Sequence, residues 1–205
     1  MQVSIVKDRT AYMHSASSFM IRVTRNLSVG WLKIPKLKMG NPLDESTDVG
    51  PMITESQAIR VEKWVNEAVQ KGAKLLVSGQ RKKAAYVPTI LADVPKDATI
   101  AAEEVFGPVM IISKFQRLED AIRESNSTNY GLHAGIFTKS IDHALRAVYN
   151  LDFGTVLIND TSDFRVDFMP FGGMKYSGLG REGVRFAIEE TMTEIKTVIF
   201  RKASS

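Results

Sequence analysis

Cysteine is missing from all 205 residues. Within this chain that excludes disulfides, thiolate metal sites and a cysteine nucleophile. Histidine is scarce as well: His14, His133 and His143 are the only imidazoles. The one carboxylate at close spacing to any of them is Asp142, beside His143, and adjacent helical positions face different ways. No metal site is expected, because a cluster of ligands is its signature. No run of eighteen apolar residues is present, so no membrane span is expected. The N-terminus lacks an apolar core with a cleavage site, which makes a secretory signal unexpected and a cytoplasmic location the default. Internal repeats and low-complexity segments are absent too.

What is present fits an ordinary globular protein. The chain is long enough for one sizeable domain, and its hydrophobic and charged fractions are unremarkable. The net charge of +4 is unevenly placed. Residues 1–40 carry seven basic side chains against the single acid Asp8, so that segment is +6 and the rest of the chain is −2. The basic residues are scattered, and Phe19, Met20 and Trp31 form no regular face. Scattered charge is not an electrostatic footprint. The expectation is a poorly ordered segment in preference to a nucleic-acid-binding arm.

Beyond it, "MGNPLDESTDVGPM" is dense in turn formers and acids and is expected to be a surface loop. Thr54 and Gln57 stand in capping-box spacing. Ala58, Val61, Trp64, Val65 and Ala68 then recur at helical intervals until Gly72. "KLLVSG" and "YVPTILADV" read as strands, the second demoted to an edge or bulged strand by Pro88. "FGPVMIISKF" is a buried strand, "LEDAIRESN" a helix, "GLHAGIFT" a strand, "SIDHALRAVYNL" a helix capped by Ser140, and "GTVLIN" a strand. Such alternation predicts an α/β fold with a mostly parallel sheet flanked by helices.

"SGLGREG" spells G-x-G-x-x-G with Gly178, Gly180 and Gly183. A dinucleotide fingerprint must follow directly on a buried strand, open a helix and be followed by an acid at the end of the next strand. Here the nearest good strand is "GTVLIN", separated by the long loop "DTSDFRVDFMPFGGMKY". Only the short "VRFAIEE" follows as a helix, and the strand "EIKTVIF" runs into Arg201 and Lys202. The glycines are expected to shape a closely packed loop instead. In the preceding loop Arg165 suits either a salt bridge or an anion clamp, since a guanidinium grips carboxylate or phosphate in bidentate fashion. Phe164, Phe168 and Phe171 suit either a core or the wall of an apolar pocket. Glu103 and Glu104, ahead of a strand, are either solvated acids or hydrogen-bond acceptors for a ligand at a strand end.

"NPLDESTDVGPMI", "EEVFGPVMII", "NYGLHAGIFT", "GTVLIND" and "MPFGGMKYSGLGREG" together resemble the aldehyde dehydrogenase superfamily, over about Lys38 to Arg201. The resemblance covers the C-terminal, catalytic-domain portion of such an enzyme. It implies a division into a divergent basic segment (1–37), a catalytic domain (38–190) and an oligomerisation strand with its tail (191–205). The family's cofactor domain and general-base glutamate precede the matched region. Its nucleophilic cysteine lies in a "GQxC" setting. Gln2 and Ser4 align with that glutamine and cysteine, which places a serine where the thiolate should be.

Residue by residue, the resemblance assigns Glu104 to the nicotinamide-ribose hydroxyls and Phe106 to the nicotinamide ring. Phe164 and Phe171 fall on the substrate tunnel, and Arg165 is a contact for an acidic substrate tail. "FRVDFMPFGG" is most similar to branches that oxidise lactaldehyde, glyceraldehyde 3-phosphate or phosphonoacetaldehyde. The implied reaction of the complete enzyme is NAD- or NADP-dependent oxidation of a small aldehyde to its acid. This chain alone is expected to be inactive and to bind no cofactor. The competing reading is a non-catalytic assembly module of the same fold. Homo-oligomerisation through residues 193–200 is expected, and neither a membrane nor a nucleic acid is an expected partner.

Overall fold

Strong local signals build the helix that opens the domain. Thr54 caps α1 (Glu55–Gln70), its hydroxyl accepting the Gln57 backbone N–H at 3.3 Å. Only half of a capping box forms, because the Gln57 side chain turns away to accept from Arg60 Nε at 2.7 Å. Gly72, at φ +107, closes the helix. Its N–H reaches Val69 O at 3.0 Å and the Ala73 N–H reaches Ala68 O at 2.9 Å, a Schellman ending. The computed structural model describes the backbone of residues 4–8 and 20–24, and residues 37–160, 162 and 164–189.

The centre is a seven-stranded sheet. In chain order its strands are β1 (Ser4–Asp8), β2 (Met20–Thr24), β3 (Lys74–Val77), β6 (Thr89–Ala92), β7 (Val109–Lys114), β9 (His133–Phe137) and β10 (Thr155–Ile158). The spatial order is β10-β9-β1-β2-β7-β6-β3. The short strands β4 (Arg81–Lys82) and β5 (Ala85–Tyr86) form a small hairpin, and β8 (Tyr130–Gly131) pairs with β11 (Met174–Lys175). The remaining helices are α2 (Thr99–Ala102), α3 (Leu118–Asn126), α4 (Ile141–Asn150) and α5 (Val184–Ala187). Five of the seven main strands point one way, and β1 and β3 oppose them.

The alternation β7-α3-β9-α4-β10 is the one the sequence predicts. Two placements differ from expectation. The strand after Pro88 is interior: β6 lies between β7 and β3 and all four of its residues are buried. Pro88 disturbs nothing because it sits just outside the ladder, in the gap between β5 and β6. Residues 4–8 and 20–24 of the basic segment, expected to be poorly ordered, form the antiparallel pair β1–β2 at the middle of the sheet. Residues 193–200, expected to pair between subunits, lie outside the described residues.

Val61, Val65 and Ala68 of α1, Leu91 of β6, Val109 and Ile111 of β7, Ala134 and Ile136 of β9, and Ala121 and Ile122 of α3 form one continuous core. Each fully buried aliphatic side chain contributes about 1.5–3 kcal/mol relative to exposure. Burial also pushes the Tyr86 phenol up to about 12. No described helix is long and apolar enough to cross a membrane.

Candidate functional site

Two segments carry the candidate residues. The first is the loop of residues 103–108 that leads from α2 into β7. Val105 and Gly107 are buried in it, Glu104 is half-buried and the Phe106 ring is 54% exposed. Phe106 stands at φ +40, a left-handed conformation that costs an ordinary residue about 1–2 kcal/mol. Arg60 of α1 holds this loop. Its Nη2 donates to Val105 O at 2.6 Å, and its guanidinium lies 4.3 Å from the centroid of Trp64. Burial pulls the Arg60 pKa below its ordinary value. A Cβ on Gly107 would come within 2.8 Å of Val61 Cγ2, so helix and loop meet through a missing side chain.

The second segment leaves β10 and folds back along β9. The Asn159 N–H donates to Ile136 O at 2.7 Å, and a Cβ on Gly135 would lie 2.5 Å from Asp160 O. Ser162 O then accepts from His133 Nδ1 at 2.8 Å. Phe171 is 5% exposed and meets the His133 ring edge-on, with centroids 5.1 Å apart at 81°. Phe171 and Glu182 exchange two backbone hydrogen bonds. A Cβ on Gly154 would collide with Gly172 O, so the glycine-rich stretch passes against the amino end of β10 with no room to spare.

That stretch is a loop, as expected, and not a dinucleotide turn. Gly178, Gly180 and Gly183 have φ values of +146, +69 and +122, preceded by the two-residue β11 and followed by the four-residue α5. The Tyr130 hydroxyl donates to Glu103 Oε2 at 3.4 Å, and its ring packs edge-on against Tyr176. Tyr130 thus links the first segment to the second. A cleft of about 280 Å³ opens there, lined by Glu103, Tyr130, Tyr176, Lys96, Glu124 and neighbouring residues. Glu103 lines it, whereas Glu104, Phe106, Phe164, Arg165 and Phe171 do not.

Glu104 and Phe106 lie together at the amino end of β7, not at the carboxyl end, where α/β sheets usually bind ligands. Phe164 is exposed and Phe171 buried, so the two are not equivalent walls. The Arg165 guanidinium stacks on Phe171, 4.1 Å from the ring centroid. It forms no ion pair with any described carboxylate. Ser4 is remote from the Glu104 loop. It pairs with Phe137 at the carboxyl end of β9 and with Thr24 at the end of β2, while Phe106 enters β7 at the opposite margin of the sheet.

His133 and Arg60 were not legible as site residues. His133 gives no local signal, since its partners are a carbonyl 29 residues onward and a ring 38 residues onward. Arg60 had one readable cue, its spacing of four from Trp64 on a helix. Among the described residues no group of three or more potential metal ligands comes together.

The Glu104 and Phe106 pair suits one end of a nicotinamide cofactor. A half-buried carboxylate can accept from a ribose diol, and an exposed aromatic face can lie against a planar ring.

Comparison with known proteins identifies what this arrangement is similar to. The chain is 52% identical over 170 residues to a lactaldehyde dehydrogenase of Methanocaldococcus jannaschii, an alignment covering 83% of this chain and 36% of that protein. It is 46% identical over 167 residues to a 3-sulfolactaldehyde dehydrogenase of Priestia aryabhattai, covering 82% of this chain and 35% of the relative. The crystal structure of the glyceraldehyde-3-phosphate dehydrogenase GapN from M. jannaschii, complexed with NADP, superposes with a TM-score of 0.77 at 51% identity, over 83% of this chain and 37% of that one. Aldehyde dehydrogenase 21 from Physcomitrella patens, in complex with the reaction product succinate, gives 0.76 at 48%, over 77% and 33%. The chain therefore spans about a third of the length of the relatives it matches. The profile of the aldehyde dehydrogenase family matches residues 32–198, and the chain belongs to that family.

Proposed function

We propose that this chain is the C-terminal catalytic-domain portion of an NAD(P)-dependent aldehyde dehydrogenase that oxidises a small aldehyde with an acidic tail. The observation that carries the reading is the loop of Glu104 and Phe106, locked to α1 by Arg60 with the Phe106 ring held outward. When bound, the nicotinamide cofactor supplies the hydride acceptor. Glu104 would hold its ribose and Phe106 would lie against its ring. Phe164, Arg165 and Phe171 would line the substrate side. The basic segment 1–37, the catalytic domain 38–190 and the strand and tail 191–205 would be its parts, and residues 193–200 would join subunits.

An acidic substrate follows from Arg165. Its guanidinium lies over the Phe171 ring with no described carboxylate paired to it, and a guanidinium can take an anion in bidentate fashion. Relatives support the same chemistry: one is named a sulfolactaldehyde dehydrogenase, and another holds succinate as its product.

The chain on its own would be inactive. With no cysteine it cannot supply a thiolate. Ser4 lies at the wrong margin of the sheet to work with Glu104 and Phe106. The lack of cysteine also favours the second reading, a non-catalytic assembly module of the same fold. The test is the absorbance of reduced cofactor with a panel of small aldehydes, using both NAD and NADP. Neither wild type nor Ser4→Cys should turn over, because positioning would still be missing in the variant. Turnover by wild type above a no-enzyme blank, in a preparation free of contaminating dehydrogenase, would overturn the reading of it as an incomplete enzyme.

A further inference from the structure

We propose that His133 is the positioning residue for Arg165: by holding Ser162 and Phe171 it fixes the guanidinium over the Phe171 ring. Its consequence for substrate charge rests on the reading of Arg165 given above, whereas the positioning itself does not.

A carbonyl oxygen only accepts, so the 2.8 Å contact with Ser162 O requires the hydrogen on His133 Nδ1. Nε2 is then a bare acceptor. It is buried, with no partner among the described residues, and the residue is only 5% exposed. A bare buried nitrogen costs free energy that an apolar side chain of similar shape would not. The Nδ1–H bond to Ser162 O offsets part of that cost. What histidine adds is a rigid ring that donates in one direction and presents an edge in another.

Both directions lead to the same segment. The Nδ1–H anchors Ser162, which is itself buried. The ring meets Phe171 edge-on at 5.1 Å, and the backbone of Phe171 is pinned independently to Glu182. Arg165 lies between these two anchors in sequence, on a stretch with no strand or helix of its own. Its guanidinium rests on the Phe171 ring, with no described carboxylate to hold it elsewhere. His133 therefore touches both ends of the Arg165 stretch: it holds the Ser162 carbonyl at one end and the ring of Phe171 at the other, where Glu182 holds the backbone. Without His133 the Ser162 carbonyl loses its donor and the Phe171 ring loses its edge partner. The guanidinium would then no longer be held at a single position.

The test uses the full chain labelled with ¹⁵N and ¹³C. Stacking should move the Arg165 Nε–Hε resonance upfield through the ring current of Phe171; its disappearance in Arg165→Lys assigns it. His133→Leu should return that resonance to its unstacked position and weaken succinate binding by about tenfold, as for a lost charged contact. Binding of the neutral diamide succinamide should not change. His133→Asn places an amide N–H close to where Nδ1 stood but presents no ring edge to Phe171, and should restore both readouts only in part. The wild-type imidazole nitrogen shifts should report the Nδ1–H tautomer, a measurement that needs no variant to fold. An Arg165 resonance unmoved by His133→Leu, or an Nε2–H tautomer in wild type, would overturn the proposal. If wild type shows no preference for succinate over succinamide while the resonance still depends on His133, positioning is supported and the acidic-substrate reading fails.

Discussion

Phe106 pays for its position twice. Its backbone stands in the left-handed region at φ +40, and its ring is more exposed than buried. Left-handed backbone costs a side chain with a Cβ about 1–2 kcal/mol. Half-burying the ring returns about 1 kcal/mol. Strain of this kind at an exposed aromatic suggests a role outside folding. Phe106→Gly should therefore change stability by less than ~1 kcal/mol, because relief of strain offsets the lost burial and the greater freedom of glycine in the unfolded chain. Chemical denaturation of the two proteins measures this. A loss above ~2 kcal/mol would make the ring a packing element and remove the main reason to assign it to a ligand. The rarity of phenylalanine at positive φ also explains why the sequence could flag Phe106 only through its resemblance to a family: nothing in "EEVFGPV" announces a left-handed residue.

At the scale of elements, what could be read depended on whether the signal was local. The bounds of α3 coincide with the segment read as a helix, and the Ser140 hydroxyl caps α4 by accepting His143 N–H at 3.4 Å. Periodicity and caps act within a turn or two, so the sequence contains them. The interior place of β6 and the insertion of β1 and β2 between β9 and β7 are long-range pairings, for which a proline rule or a charge count is no guide. The contact of α1 with the loop before β7 is of the same kind. Arg60 bridges 45 residues to Val105 O, and Gly107 lets Val61 approach. Arg60→Met keeps the aliphatic stem and the packing on Trp64 while removing the donor. We expect α1 to stay folded, and amide hydrogen exchange in residues 103–107 to quicken by about ten- to a hundredfold, in line with loss of a hydrogen bond of about 1.5–3 kcal/mol from a charged group to a buried carbonyl. Equal protection in both proteins would show that packing at Gly107 alone holds the loop.

For the whole molecule, three features bear on the proposed division of labour with the rest of a longer enzyme. The chain carries no cysteine, its two candidate ligand segments meet through Tyr130 and Glu103, and it spans about a third of the length of its relatives. The family resemblance was legible because "EEVFGPV" and "PFGGMKYSGLGREG" are long and specific. The packing of the second segment was not, because it is set by how the chain after β10 folds back onto His133. Joining the chain to the remainder of a similar enzyme gives the most demanding test. Residues 38–205 would replace the matched region of the M. jannaschii glyceraldehyde-3-phosphate dehydrogenase, to which this chain is 51% identical in the superposed region. The chimera should oxidise acidic aldehydes in preference to neutral ones of similar size. In it, Arg165→Leu should raise KM for an anionic aldehyde by about ten- to a hundredfold, the cost of a charged hydrogen bond worth about 1.5–3 kcal/mol, with little change for a neutral aldehyde. Steady-state kinetics on the paired substrates decides the matter. If Arg165→Leu impairs both aldehydes equally, the stack on Phe171 is there to hold the loop, and the charge of the substrate must be read by another residue.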